Sequence, residues 1–432
     1  MASEIRVNTI NNRSGLGTIS ITDSGASFSG VVTATNGFSG NLTGNVTGDA
    51  TGLSGSPTLS GITSVSTTNL TVNGNAYPNA GPLSNRNLII NGAMTIDQRN
   101  NGASVTDNAS YPVDRFIMGD NATGLDISSQ RSGIAPVGFT SSLSVSVVTA
   151  ATPATDQSGA FFYQVIEGYN FSPLNFGSSD AKSFTLSFYV RSSVTGTYSC
   201  GFRDGGGNVS YTADYTISSA NTWEYKTITV PGETSGSYTW NTTNGGALVV
   251  SWGLGNGSGR SAAPGSWAAG NNLASTNQVT WCNNSGATFY LTGVQLEVGS
   301  VATPFEHRNI GDELARCQRY YCKSYSYQDA PGTNTSDSIQ GLRNWDSSGR
   351  TDVPANVRFP VEMRAAPTVK IYTRSGTIDN TSESSDGFTH AANRAVSAVR
   401  AVGRAGYSTL SHSASIGGLQ FYIWHWTASA EI

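Results

Sequence analysis

The stretch Phe38-Ser39-Gly40-Asn41-Leu42-Thr43-Gly44-Asn45-Val46-Thr47-Gly48-Asp49-Ala50-Thr51-Gly52 sets the reading of the chain. Its even positions are Phe, Leu, Val or Ala in turn with Gly, and its odd positions are all polar. Alternation of period two marks an extended strand with one apolar face. On that face every second side chain is missing, which gives a four-residue repeat. Glycine weakens a strand unless another backbone must approach closely. A single strand of this kind cannot bury its own stripe. The pattern therefore predicts several identical chains wound about a common axis, lined by Phe38, Gly40, Leu42, Gly44, Val46, Gly48 and Ala50. Three chains is the usual number for such shafts, although parity does not fix it. The competing reading is a flexible Gly/Ser/Thr linker, which has no reason to keep parity over the whole stretch.

The flanks follow the same style. Ile19 and Ile21 alternate with Thr18, Ser20 and Thr22, and Leu70 and Val72 alternate with Asn69 and Thr71 ahead of Asn73-Gly74-Asn75. Up to about residue 80 the aromatics are only Phe28, Phe38 and Tyr77, too few for a core within one chain. From about Asn85 aromatics become frequent and strand patterns lengthen. Predicted strands include Leu143 to Val148, Phe161 to Ile166, Phe184 to Arg191, Tyr198 to Phe202, Val209 to Tyr215, Trp223 to Val230, Ala247 to Trp252 and Thr288 to Val298. Many short strands separated by turn residues argue for a β-sandwich or jelly roll. One helix is predicted over Asp312 to Tyr321, with Asp312 as N-cap. Strands resume at Thr368 to Tyr372, Ala395 to Val402 and Leu419 to Ala428. The fold class is all-β: an elongated trimeric shaft, a β-sandwich, and a smaller C-terminal β-rich domain with one short helix.

Composition narrows the function. Of 432 residues only 12% are charged, and lysine occurs at Lys182, Lys226, Lys323 and Lys370 alone. The formal net charge is −4, with no basic run of the kind that grips nucleic acid. No apolar stretch is long enough to span a bilayer. Met1-Ala2-Ser3-Glu4-Ile5-Arg6 has no apolar signal core, so folding in a cytoplasm is expected. There Cys200, Cys282, Cys317 and Cys322 are expected as free buried thiols. No cofactor or metal is expected, since the four histidines are scattered and no cysteines form a close pair; Asp204 and Asp114 are the places a structural calcium ion would choose.

Three stretches resemble tail fibres of bacteriophages, especially those of cyanobacteria. The first is Asn87-Leu88-Ile89-Ile90-Asn91-Gly92-Ala93-Met94, continuing through Asp97-Gln98-Arg99 to Asp114-Arg115-Phe116. The second is Leu291-Thr292-Gly293-Val294-Gln295-Leu296-Glu297-Val298-Gly299 with Thr303-Pro304-Phe305-Glu306-His307-Arg308. The third is Glu313-Leu314-Ala315-Arg316-Cys317-Gln318-Arg319-Tyr320-Tyr321, with Arg358-Phe359-Pro360-Val361-Glu362-Met363-Arg364 and the ending Thr427-Ala428-Ser429-Ala430-Glu431-Ile432. Together they cover about 85 to 432. The resemblance implies a homotrimer, tail or baseplate attachment through the N-terminus, a carbohydrate-binding-like jelly roll, and a place in the virion tail after assembly in the host cytoplasm. It supplies no ligand residues. The resulting organisation is 1–36 attachment segment, 37–84 shaft, 85–308 sandwich and 309–432 C-terminal domain.

The function expected is adsorption to a bacterial surface glycan such as lipopolysaccharide, without catalysis, nucleic acid or membrane insertion. A tailspike polysaccharide depolymerase and a purely structural baseplate part are the alternatives. A glycosidase needs two carboxylates set apart across a groove. Asp204, Glu224, Glu233, Glu297 and Glu306 are the acidic candidates, and none has telling spacing. For sugar binding, aromatic faces stack on pyranose C–H groups while Asn and Arg bond hydroxyls. Trp252, Arg260, Trp267 and Asn271 are candidates for one such surface, and Arg343 with Asn344 and Trp345 for another. Against each tryptophan stands ordinary core packing. Arg99, Asp114 and Arg115 read as a buried ion pair that fixes the start of the sandwich.

Overall fold

The computed structural model describes residues 9–11, 18–22, 25–29, 70–72, 75–77, 84–343, 350–384, 392–416 and 421–432. The proposed axis residues Phe38 to Ala50 lie outside the described residues. The chain divides into two compact units, Met1–Val65 and Ser66–Ile432. In the first, Thr9–Asn11, Thr18–Thr22 and Gly25–Ser29 pair as an antiparallel sheet, with Ile19 between Ile10 and Phe28.

The second unit holds a two-layer sandwich built from alternation. Its strands are β1 (Ser110–Val113), β2 (Phe116–Asp120), β3 (Asp126–Ser132), β4 (Ser142–Thr149), β5 (Ala160–Glu167), β6 (Phe184–Ser192), β7 (Gly196–Asp204), β8 (Val209–Ile217), β9 (Glu224–Val230), β10 (Gly246–Gly253), β11 (Trp267–Ala269) and β12 (Thr288–Val298). One sheet runs β11-β8-β7-β10-β5-β2-β1 and the other β9-β6-β12-β4-β3, with antiparallel neighbours throughout. In β6 the residues Phe184, Leu186, Phe188 and Val190 are fully buried. They meet Phe202, Tyr215 and Trp252 from the facing sheet in one apolar cluster. The all-β sandwich expected from the sequence is thus observed.

The C-terminal strands are β13 (Tyr321–Lys323), β14 (Gln340–Arg343), β15 (Arg350–Arg358), β16 (Thr368–Tyr372), β17 (Asn380–Ser384), β18 (Ala392–Arg400), β19 (Gly406–Ile416) and β20 (Phe421–Ser429). They order as β13-β20-β17-β18-β19-β15, with β14 and β16 also pairing β20. Trp424 and Trp426, on β20, are buried in its core, and the Trp424 indole N–H donates to the Tyr407 hydroxyl at 2.9 Å. The preceding helix spans Ile310–Gln318. Its cap is Asn309, whose side chain accepts from the Gly311 N–H at 2.9 Å. Asp312 sits in the first turn instead, where its charge favours the positive end of the helix.

A buried polar joint connects the sandwich to the C-terminal sheet. Glu431 pairs with Arg99 at 2.9 Å and with Arg115, and Arg99 also pairs with Asp114 at 3.3 Å. The Arg115 guanidinium lies 3.5 Å from the Tyr320 ring centroid. Glu167 accepts from Arg319 and from the Tyr320 hydroxyl. The ion pair read from Arg99, Asp114 and Arg115 is therefore completed by the penultimate residue, a partner that sequence separation conceals. The four cysteines are free and buried.

Candidate glycan-binding cleft

The structure disperses the first sequence-predicted sugar surface. Trp252 is a correction: it is 0% exposed, stacked on Phe162 at 5.3 Å and edge-on to Phe188 at 5.9 Å. Its strand parity with Leu248 and Val250 turns it inward, where no sugar reaches it. Trp267 is half-buried at an end of the sandwich, edge-on to Phe176 and Trp240, and its N–H donates to the Pro231 carbonyl. Its ring caps the core rather than forming an open platform. Arg260 and Asn271 do lie towards solvent, in the excursion over 253–277. Arg343 is exposed on β14 in the C-terminal sheet, with its guanidinium 5.3 Å from the Phe421 ring centroid. Trp345 and Asn344 lie outside the described residues.

The accessible aromatic surface lies elsewhere, on the outer face of the five-stranded sheet. Opposite the buried parity of β6 stand Ser187, Tyr189 and Arg191. Tyr189 is paired across the sheet with Tyr225 of β9, and their rings are 4.9 Å apart. Phe139 reaches Tyr189 at 5.5 Å, Phe305 at 5.0 Å and His307 at 5.2 Å. These residues, with Ser187, Thr303, Pro304 and Gly293, line a cleft of about 530 Å³. Tyr225 and His307 are exposed; Phe139, Tyr189 and Phe305 are half-buried. The aromatic stripe continues past the cleft, where Trp223 packs on Tyr290 and Arg191 lies 5.0 Å from the Tyr290 centroid.

Local sequence explains how the cleft is held open. Across β6 and β12 the register shifts between Ser187 and Tyr189, and Gly293 adopts φ +62° at that bulge. A Cβ there would stand 2.7 Å from Phe139 and 2.9 Å from Tyr189. Only glycine fits both the left-handed backbone and the closed rings. The next residue, Val294, bonds the backbone of Gly92, and its carbonyl accepts from the Asn87 amide at 3.0 Å. Beyond the strand, Glu297 accepts from the Thr303 N–H at 2.8 Å, and Gln295 accepts from the Glu306 N–H at 2.8 Å. Those bonds fix the loop that presents Phe305 and His307. The second of the three quoted stretches thus forms one wall of the cleft, and Asn87 and Gly92 of the first brace it from behind.

The acidic candidates are occupied. Asp204 takes the N–H groups of Gly206, Asn208 and Val209 and the Asn208 amide. Glu224 bonds Lys226 and the N–H groups of Ser218 and Ser219. Glu233 holds Ser235 and the Trp240 indole. Glu297 holds Thr303, and Glu306 holds the N–H groups of Arg86 and Asn87. Burial raises the Asp114 carboxyl from its ordinary value, against the opposing pull of Arg99 and Gln98. The oxygens considered for calcium at Asp204 and Asp114 already face N–H donors.

Among the described residues no group of three His, Cys, Asp or Glu side chains is placed to hold a metal ion, and no helix is long and apolar enough to cross a membrane. What the cleft offers is ring faces and edges for the C–H surface of a pyranose, with hydroxyl, imidazole and carbonyl groups at its rim.

The sequence matches no family model and no curated protein. Several solved structures are similar at low identity. The enzymatically active domain of tailspike protein 4 of bacteriophage CBA120 is 14% identical, with a TM-score of 0.25, over 48% of this chain and 22% of that one. The module TmCBM61, solved in complex with β-1,4-galactotriose, is 10% identical, with a TM-score of 0.25, over 49% of this chain and 99% of the module. The family 11 carbohydrate-binding module of the cellulosomal cellulase Lic26A-Cel5E of Clostridium thermocellum is 13% identical, with a TM-score of 0.23, over 48% and 99% respectively. The likeness thus reaches about half of this chain and less than a quarter of the tailspike, and it assigns no role to any residue.

Proposed function

We propose that the chain is a phage tail-fibre subunit that binds a bacterial surface glycan through the aromatic cleft and does not cut it. The observation that carries this reading is the grouping of Phe139, Tyr189, Tyr225, Phe305 and His307 around about 530 Å³ of open space. Each ring that stacks on a sugar contributes about 1–3 kcal/mol by analogy with stacked bases. Binding without hydrolysis is supported by the hydrogen bonds that occupy Asp204, Glu224, Glu233, Glu297 and Glu306. The parity of Phe38 to Gly52 supports association of several chains, and the resemblance to phage tail fibres supports three of them and attachment through the N-terminus.

Incubation with host lipopolysaccharide tests the reading. Retention with glycan chains of unchanged length is expected, and Tyr189→Ala/Tyr225→Ala abolishes retention. Shortened chains establish a depolymerase, and neither retention nor cutting leaves a structural role. Native mass spectrometry tests the trimer, and a monomer at micromolar concentration contradicts the shaft.

A further inference from the structure

The seven-stranded sheet has an outer face of different chemistry. The 253–277 excursion covers one half of it: Ser251 donates to the Leu273 carbonyl at 3.3 Å, the Ser275 N–H to Ser199 at 2.9 Å, and the Asn272 amide to Ser210 at 2.9 Å. On the uncovered half Phe161 and Tyr163 stack at 5.7 Å and 17° and stay half-buried. At the boundary between the halves stand two guanidinium groups. Arg203 donates from Nη1 to the Asp204 carbonyl at 3.4 Å, and its buried Nε has no partner. Arg260 donates from Nε to the Asp156 carbonyl at 3.4 Å. Neither forms an ion pair among the described residues. The nearby Asp204 carboxylate is taken up by its own turn. A Cβ at Gly207 would lie 3.3 Å from the Asn271 Nδ2 and 3.4 Å from Arg203 Nη1, so an amide converges on the same point.

A guanidinium withdrawn from water without a counter-charge is costly. Burial pulls Arg203 below the ordinary arginine value, and the Arg260 charge acts in the same direction, against Tyr163 and Asp204. An incoming anion relieves both effects. We infer that this face takes an anionic sugar, its carboxylate or sulfate held by Arg203 and Arg260, with Asn271 bonding a hydroxyl and Phe161 and Tyr163 beneath the ring. The subsite rests on the glycan-binding reading and adds to it a second, basic subsite on the opposite sheet.

Calorimetry on the full chain tests it, using trigalacturonate, a sulfated galactose trisaccharide and neutral galactotriose as probes. At least one acidic probe binds about tenfold or more tightly than the neutral one, as a charge-assisted hydrogen bond requires. Added salt weakens that binding. Arg203→Gln lowers it by about tenfold, and Arg260→Gln, on the surface excursion, lowers it with the melting temperature unchanged. The two acidic probes separate carboxylate from sulfate. Tyr189→Ala/Tyr225→Ala leaves acidic binding intact, which separates this subsite from the cleft. Equal affinity for acidic and neutral probes, no binding of either acidic probe, or wild-type affinity in both arginine variants overturns the inference.

Discussion

The sandwich and the C-terminal sheet of the second unit are stabilised by different means. In the first, one continuous apolar cluster joins both sheets, with Trp252, Phe162, Phe188 and Phe289 at its centre. In the second, the apolar cluster is smaller and is interleaved with buried polar groups: Thr381, Ser382, Glu383, His412 and His425. His425 bonds Ser324 at 3.0 Å through Nδ1 and the Thr335 carbonyl at 3.2 Å through Nε2, while stacking on Tyr325 at 3.9 Å. The larger aromatic cluster of the first backs the outward rings of β6 and β9 with packed side chains. A sheet whose interior depends on satisfied polar groups responds to pH and to loss of any partner.

The joint between them gives the largest test of that contrast. Glu431→Ala leaves Arg115 buried without its carboxylate and removes one partner of Arg99. Breaking a buried pair of this kind costs about 3–5 kcal/mol. Chemical denaturation of the variant is expected to show the C-terminal sheet melting ahead of the sandwich, and a single unshifted transition rejects the contrast. Gly293→Ala probes the rigid side. The left-handed backbone costs about 1–3 kcal/mol for a side chain, and the added methyl displaces Phe139 and Tyr189. Glycan affinity should fall more than the melting temperature does.

Acid should separate the sandwich and the C-terminal sheet further. Desolvation lowers His412 and His425 from the ordinary imidazole value. As pH falls through about 6.5 the unfolded chain binds protons before the native one, so stability declines from there downward. The expected decline is at most about 1.4 kcal/mol per pH unit for each group. Circular dichroism melts between pH 7 and 5 should show it in wild type and a shallower slope in His412→Gln/His425→Gln. The smallest effect concerns Lys323, whose ammonium donates to the carbonyls of Gln98, Tyr327 and Asp329. Burial lowers it to about 8. Between that value and about 10.5 the unfolded chain holds the extra proton, so this residue's contribution rises with pH. The stability difference between wild type and Lys323→Met should grow from pH 7 to 9, and a flat difference rejects the assignment.

Strands with a strong apolar parity were legible in the sequence. Thr288–Val298 and Thr368–Tyr372 fall at the predicted limits, and β5, β6 and β10 differ from prediction only at their ends. Asp126–Ser132, Asn380–Ser384 and Gly406–Ile416 were not legible. Their Ser, Thr and Asn residues acquire partners only across the finished sheet, so no local period marks them. The cleft escaped for a related reason. Tyr189 and Tyr225 occupy the outward parity of their strands, which was a readable signal. Phe139 lies in a loop, and its approach to Phe305 joins residues more than 160 positions apart. Trp252 is a sugar-binding candidate by residue type alone, and its parity with the buried Leu248 and Val250 places it in the core.

The aromatic cleft of the sandwich is proposed to bind a glycan, and that proposal has a direct test. The direct measurement compares wild type with Tyr189→Ala/Tyr225→Ala on an array of bacterial surface polysaccharides, with melting temperature recorded for both. A neutral glycan retained by wild type and lost by a variant that melts normally is expected. Equal retention by the two proteins, or no retained glycan at all, contradicts it.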